Sequence, residues 1–149
     1  DPTRARGSIA GIGDDTEVID NLMTGDHEVV HTYGWYLDRF VRDARGKGAS
    51  VVVCSPVPRR IWEGTHIFRG GDYAPWAKAA AERARVPFID LNARVAARYD
   101  AIGAQAAARF FPSDNTHTNR AGAEVVAATV IEGLRALRPD PVAAYLRVR

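Results

Sequence analysis

Ser50-Val51-Val52-Val53-Cys54-Ser55, closed by Pro56, is the stretch on which the fold turns. Its apolar residues run together without polar alternation, and three of them are β-branched. That is the pattern of a short strand buried on both faces, as in a parallel sheet. Val86-Pro87-Phe88-Ile89-Asp90-Leu91 repeats it downstream, with Pro87 at the start of the run, where a strand tolerates a missing donor. Between the two lie a loop from Pro56 to Gly71, rich in Pro, Gly and Arg with one Trp, and a helix. The helix is expected to be capped by Asp72, to hold Pro75 in its first turn and to reach about Ala84. Strand, helix and strand in this order predict a right-handed parallel βαβ unit.

Upstream, Tyr33, Leu37, Phe40, Val41 and Ala44 recur at helical spacing and predict a helix from Thr32 to Arg45, closed near Gly46 or Gly48. Val29-Val30 fits either the start of that helix or an extended segment. Residues 1–26, punctuated by Asp1-Pro2, Gly7, Gly11, Gly13 and Gly25, read as loop with a short helix near Glu17 to Met23. Downstream, Asn92 is expected to cap a helix that shows Leu91, Val95, Tyr99 and Ile102 on one face and stops at Gly103. An Ala-rich helix is expected over Ala104 to Phe110, and a long one from Asn119 to Leu137, ending before Pro139. Two strands make a marginal sheet, and at least four helices need their apolar faces covered. The simplest resolution is a single α/β domain over residues 1–149 whose further strands lie N-terminal to this chain. An unpaired edge at Val51 to Cys54 and uncovered helix faces around Phe40 and Val126 are then expected, and with them self-association of the isolated chain.

The bulk properties exclude several classes. The chain has 149 residues and a net charge of +2, with its arginines interleaved among acidic residues, so no basic stripe suggests nucleic acid or a membrane surface. No apolar run approaches the roughly 18 residues of a membrane span. A single cysteine, Cys54, rules out an internal disulfide and reads as a small buried apolar residue. No signal-peptide pattern is present, and localisation stays open.

The chemistry is concentrated in Ser113-Asp114-Asn115-Thr116-His117-Thr118. A carboxylate three residues ahead of a histidine on a turn can fold back to accept from Nδ1, which fixes the tautomer and leaves Nε2 free as a general base. The bare spacing is not selective, because Glu28 precedes His31 and Glu63 precedes His66 by the same interval. The alternative is an Asp and a His that cap the following helix. A rival motif is His27-Glu28-Val29-Val30-His31, a formal match to the zinc-protease signature. It needs both histidines on one helical face and a third ligand, yet Leu37 stands at the third position, and Met23 lies upstream of where a Met-turn belongs. Arg59, Arg60 and Trp62 follow the first strand closely. Arginine pairs bidentately with carboxylates and tryptophan stacks on a sugar face, so the three are candidate substrate contacts; the plain alternative is a solvated loop with one packing aromatic.

Phe111-Pro112-Ser113-Asp114-Asn115-Thr116-His117-Thr118-Asn119-Arg120-Ala121-Gly122-Ala123-Glu124 resembles the terminal Asp-x-x-His-Thr segment of the SGNH (GDSL-type) hydrolases, above all their rhamnogalacturonan acetylesterase branch. Tyr36-Leu37, Lys47-Gly48-Ala49 with the strand Val51 to Ser55 and Pro56, and Val86 to Leu91 fit the same pattern, so the likeness runs from about residue 3 to residue 137. It implies a three-layer α/β/α flavodoxin-like sandwich with a parallel sheet, His117 as the catalytic base and Asp114 as its orienting acid. It implies no metal or other cofactor, and an acetylated polysaccharide or small acetyl ester as substrate, which makes a secreted or periplasmic setting plausible. The family's Gly-Asp-Ser nucleophile motif and the glycine and asparagine of its oxyanion hole do not occur in the chain. Ser8, Ser50, Ser55 and Ser113 do not match the nucleophile's context. The expectation is therefore a serine-type acetylesterase of which this chain supplies the Asp/His part, with a missing N-terminal segment of the same domain as its partner. The alternatives are a non-catalytic fragment that folds only with a partner segment and, last, a zinc peptidase.

Overall fold

A computed structural model describes residues 7–140 and 143–145, so the loop reading at Asp1-Pro2 lies outside the described residues. The elements run β1 (Thr16–Asp20), β2 (His27–His31), α1 (Tyr33–Gly46), β3 (Val53–Cys54), β4 (Trp62–Glu63), β5 (His66–Ile67), α2 (Tyr73–Ala84), β6 (Phe88–Ile89), α3 (Leu91–Ile102), α4 (Ala104–Ala108) and α5 (Arg120–Ala136).

The expected βαβ unit is present. β3 and β6 pair in parallel, with Val53 opposite Phe88 and Cys54 opposite Ile89. Because side chains alternate along a strand, the pair serves two cores. Val53 and Phe88 face Val41 of α1 and Ala77 and Ala81 of α2. Val52, Cys54 and Ile89 face Val95 and Tyr99 of α3, Phe111, and Val126 and Val130 of α5. Helices thus cover both faces, giving the three layers expected. Among the described residues β3 pairs with β6 alone, and Phe40 is 68% exposed. The face around Val126, however, is packed against the core, contrary to the expectation that it would lack cover.

Close approach explains two glycines. A Cβ on Gly34 would stand 2.6 Å from the Ile12 Cα, and one on Gly133 would stand 2.6 Å from the Ile89 Cγ2, so α1 and α5 seat only because both residues lack side chains. Thr32 caps α1, accepting from the Trp35 amide at 3.1 Å and donating to the Gly13 carbonyl at 2.6 Å.

Four expectations require correction. The segment near Glu17 to Met23 is not helical: Thr16–Asp20 pairs antiparallel with His27–His31, which also settles Val29-Val30 as extended. Val18 and Val29 sit opposite each other, and both are exposed, so the hairpin's face offers no helical periodicity to read. The loop from Pro56 to Gly71 contains the β4–β5 hairpin, whose two-residue strands are too short to signal a period. Asp72 stands at the start of α2 but its side chain makes no cap bond. Asp90, not Asn92, caps α3, accepting from the Ala93 amide at 3.0 Å.

Candidate active site

The carboxyl ends of β3 and β6 are tied together by side chains. Ser55 follows β3 and is only 2% exposed; its Oγ donates to Asp90 Oδ1 at 3.0 Å and accepts from the Asn92 amide at 2.8 Å. Asn92 Nδ2 in turn donates to the Pro56 carbonyl at 2.9 Å. With both hydroxyl functions committed and no solvent access, Ser55 is a structural bolt.

The turn at residues 113–118 is brought to this same end by Arg60. Its backbone amide donates to the Asn115 carbonyl at 2.8 Å, and its Nε and Nη2 donate to Asn115 Oδ1 at 3.2 and 3.1 Å. The guanidinium also lies 5.9 Å from the Phe111 ring centroid. Behind the turn, Asn119 caps α5, accepting from the Gly122 amide at 3.1 Å and donating through Nδ2 to the Arg109 carbonyl at 2.7 Å. Gly122 leaves no room for a side chain, since a Cβ there would meet Thr118 Cβ at 2.8 Å and Phe110 Cβ at 2.9 Å.

Held this way, Asp114 folds back on its own turn. Oδ1 accepts from the Thr116 and His117 amides, each at 2.7 Å, and Oδ2 accepts from His117 Nδ1 at 2.6 Å. The backbone amide of His117, then its ring, then the Thr116 amide hold the carboxyl well below the usual carboxylate range. A carboxylate can only accept, so Nδ1 carries a proton, and in the neutral ring the lone pair sits on Nε2 of a side chain that is 83% exposed.

Two other histidines also bond an aspartate through Nδ1. His27 meets Asp20 at 2.5 Å and His66 meets Asp100 at 3.2 Å. In neither does the acid come from three residues upstream, so the spacings Glu28–His31 and Glu63–His66 produce no pair; Glu28 Oε1 instead accepts from Asn21 Nδ2. Asp100 fastens the β4–β5 hairpin to α3, because its Oδ1 accepts the Ile67 amide at 2.7 Å.

The zinc-like motif lies on β2, a strand, and not on a helix. Histidines four residues apart on a strand are separated by roughly 13 Å, too far to share one ion. His31 is stacked on Trp35 at 3.6 Å between ring centroids. No group of three or more His, Cys, Asp or Glu side chains able to hold a metal occurs among the described residues. Of the candidate substrate contacts, Arg60 is committed to Asn115, Trp62 packs against the core, and Arg59 lines an open cavity with Pro56 and Asn92. Burial pushes the Cys54 thiol up, which disfavours a thiolate nucleophile.

The site is thus an amide-clamped Asp–His pair beside the loop leaving a parallel strand of a three-layer α/β domain. No family model matches the chain. It is 33% identical over 123 residues, 82% of its length, to a rhamnogalacturonan acetylesterase of Emericella nidulans, and covers 50% of that protein. It is 34% identical over 122 residues, 71% of its length, to the rhamnogalacturonan acetylesterase RhgT of Bacillus subtilis, and covers 53% of that protein. The crystal structure of the Bacillus subtilis protein YxiM superposes with a TM-score of 0.61 at 28% identity, over 68% of this chain and 30% of that one. Over most of its length the chain is thus similar to one part of SGNH-type esterases, and it spans about half the length of the curated relatives it matches.

Proposed function

We propose that the protein is a serine-type carbohydrate acetylesterase acting on pectin-type, rhamnogalacturonan-like polysaccharide. In this reading residues 1–149 are the part of the domain that supplies the base, and a segment outside them supplies the serine and the oxyanion hole. The observation that carries the reading is the Asp114 clamp: two amides on one oxygen and Nδ1 on the other, at 2.6 to 2.7 Å, leave His117 Nε2 as an oriented, accessible base. The two curated relatives above, both named rhamnogalacturonan acetylesterases, support the substrate class.

Nε2 would take the serine proton as the serine oxygen attacks the acetyl carbonyl carbon. It would then give that proton to the sugar oxygen as its bond to the acyl carbon breaks, so that the sugar leaves as a hydroxyl and an acetyl-serine remains. A water, deprotonated by the same Nε2, releases acetate and restores the serine. Asp114 stays ionised throughout and stabilises the imidazolium formed in each half.

The test is His117→Ala in the protein expressed from its complete gene, assayed on a model acetyl ester and on acetylated rhamnogalacturonan. Turnover should disappear while the melting transition is retained. Near-normal deacetylation by the folded variant would sink the proposal.

A further inference from the structure

Four of the chain's exposed large apolar side chains, Val57, Ile61, Phe68 and Tyr73, at 38 to 46% exposure, line one cavity of about 490 Å³. Its volume falls within the ~300–1,000 Å³ of small-molecule sites. Three elements make it. The loop leaving β3 gives Val57 and Ile61, the β4–β5 hairpin gives Phe68, whose amide donates to the Ile61 carbonyl at 2.7 Å, and α2 gives Tyr73. Asn92, tied to Pro56, closes the inner end.

Two features distinguish this hollow from a packing defect. Tyr73 is fixed by edge-on contacts to Tyr33 and Trp76, with centroids 5.2 and 5.1 Å away, so a rigid aromatic is presented to solvent. Arg59 and Arg69 also line the cavity, and among the described residues neither guanidinium forms a hydrogen bond or an ion pair. The nearby carboxylate, Asp100, bonds the Ile67 amide and His66 and also feels the Arg69 charge, without forming an ion pair with it. A cavity with an apolar wall, an exposed anchored aromatic and two forked cations whose hydrogen-bond donors are free suits a ligand with C–H faces and a carboxylate.

We propose that this cavity is a subsite for a uronate residue, in which Arg59 and Arg69 bind the carboxylate and Tyr73 lies against the sugar ring. The assignment deepens the acetylesterase reading and rests on it for its role in turnover. Arg59 is the chain neighbour of Arg60, which holds the Asp114–His117 turn through Asn115, so the cavity and the proposed base share one loop as their anchor. It also moves the candidate contacts from Arg60 and Trp62 to Arg69 and Tyr73. Recognition of the acid then resides in bidentate, charge-assisted bonds that a neutral sugar cannot make.

The test is calorimetric titration of the protein expressed from its complete gene with digalacturonate and with its dimethyl ester, which keeps the sugar and removes the charge. The acid should bind at least about tenfold more tightly than the ester, a gap narrowed by added salt. Arg59→Gln and Arg69→Gln should each weaken the acid about tenfold and leave the ester's affinity unchanged, while Tyr73→Ala should weaken both ligands. Equal affinity for acid and ester in the unmodified protein would overturn the subsite without any variant, and so would unchanged acid binding in a folded Arg59→Gln, Arg69→Gln pair. Hydrolysis of a neutral acetyl ester, measured in parallel, tests the esterase reading separately. A protein that binds the acid selectively and hydrolyses nothing keeps the subsite and loses the enzyme; the reverse result keeps the enzyme and loses the subsite.

Discussion

Replacing Ser55 by Ala separates a structural serine from a catalytic one. The hydroxyl is 2% exposed, accepts the Asn92 amide at 2.8 Å and donates to Asp90 Oδ1 at 3.0 Å. Its removal leaves the Asn92 amide, at the buried start of α3, without its acceptor, at a cost of roughly 1–3 kcal/mol. Asp90 is exposed and keeps the Ala93 amide, so its lost bond adds little. A net loss of about 2 kcal/mol lowers the melting temperature by roughly 4–8 °C in a domain of about 150 residues. Urea unfolding of the Ser55→Ala variant of the protein expressed from its complete gene, with fluorophosphonate labelling alongside, measures both properties. Stability should fall by that amount while labelling and acetyl-ester turnover survive. A variant as stable as the parent within about 0.5 kcal/mol, yet unlabelled and inactive, would refute the argument and make Ser55 the nucleophile.

Asp114→Asn keeps the shape of the turn but lets an amide nitrogen face Nδ1, so the wrong tautomer is favoured and kcat should drop by up to about 10⁴, measured on a soluble acetyl ester. Folding favours the ionised form of Asp114, whose carboxyl is held below the usual range, so its contribution to stability is complete above about pH 4 and is lost only as pH falls below that. An acid-unfolding step near pH 5 that disappears in Asp114→Asn would contradict this. Arg60→Ala frees Asn115 from two side-chain bonds while keeping the backbone one, so kcat should fall roughly ten- to a hundredfold with KM changing less, and Arg60→Lys should recover part of the loss. Gly122→Ala drives a Cβ to within 2.9 Å of Thr118 and Phe110. It should destabilise the domain by about 1–3 kcal/mol and depress turnover beyond what an equally destabilising change on β1 does, as read from paired melts and rates.

Much of this protein was decided by local pattern. The apolar runs Val51 to Ser55 and Val86 to Leu91 mark where the βαβ unit has its strands, although pairing confines those strands to Val53–Cys54 and Phe88–Ile89. The helices at Tyr33, Tyr73, Leu91 and Arg120 follow from spacing, and those at Tyr33 and Arg120 also from the caps Thr32 and Asn119 one residue ahead. Asp114 and His117 were legible because all the atoms of their clamp lie within four consecutive residues. Tertiary structure decided what depends on distant residues or on strands too short to carry a period. It set the β1–β2 and β4–β5 hairpins, and it let Asp90 rather than Asn92 cap α3, because Ser55, 37 residues before Asn92, takes the Asn92 amide. It also decided where the Asp–His turn sits. Connectivity leaves that turn after a helix, and the bonds from Arg60 to Asn115, 55 residues apart, bring it to the end of β3. The same loop sends Arg59 to the cavity and Trp62 to the core, because neighbouring residues on an irregular chain point where packing leaves room, and no spacing rule encodes that choice.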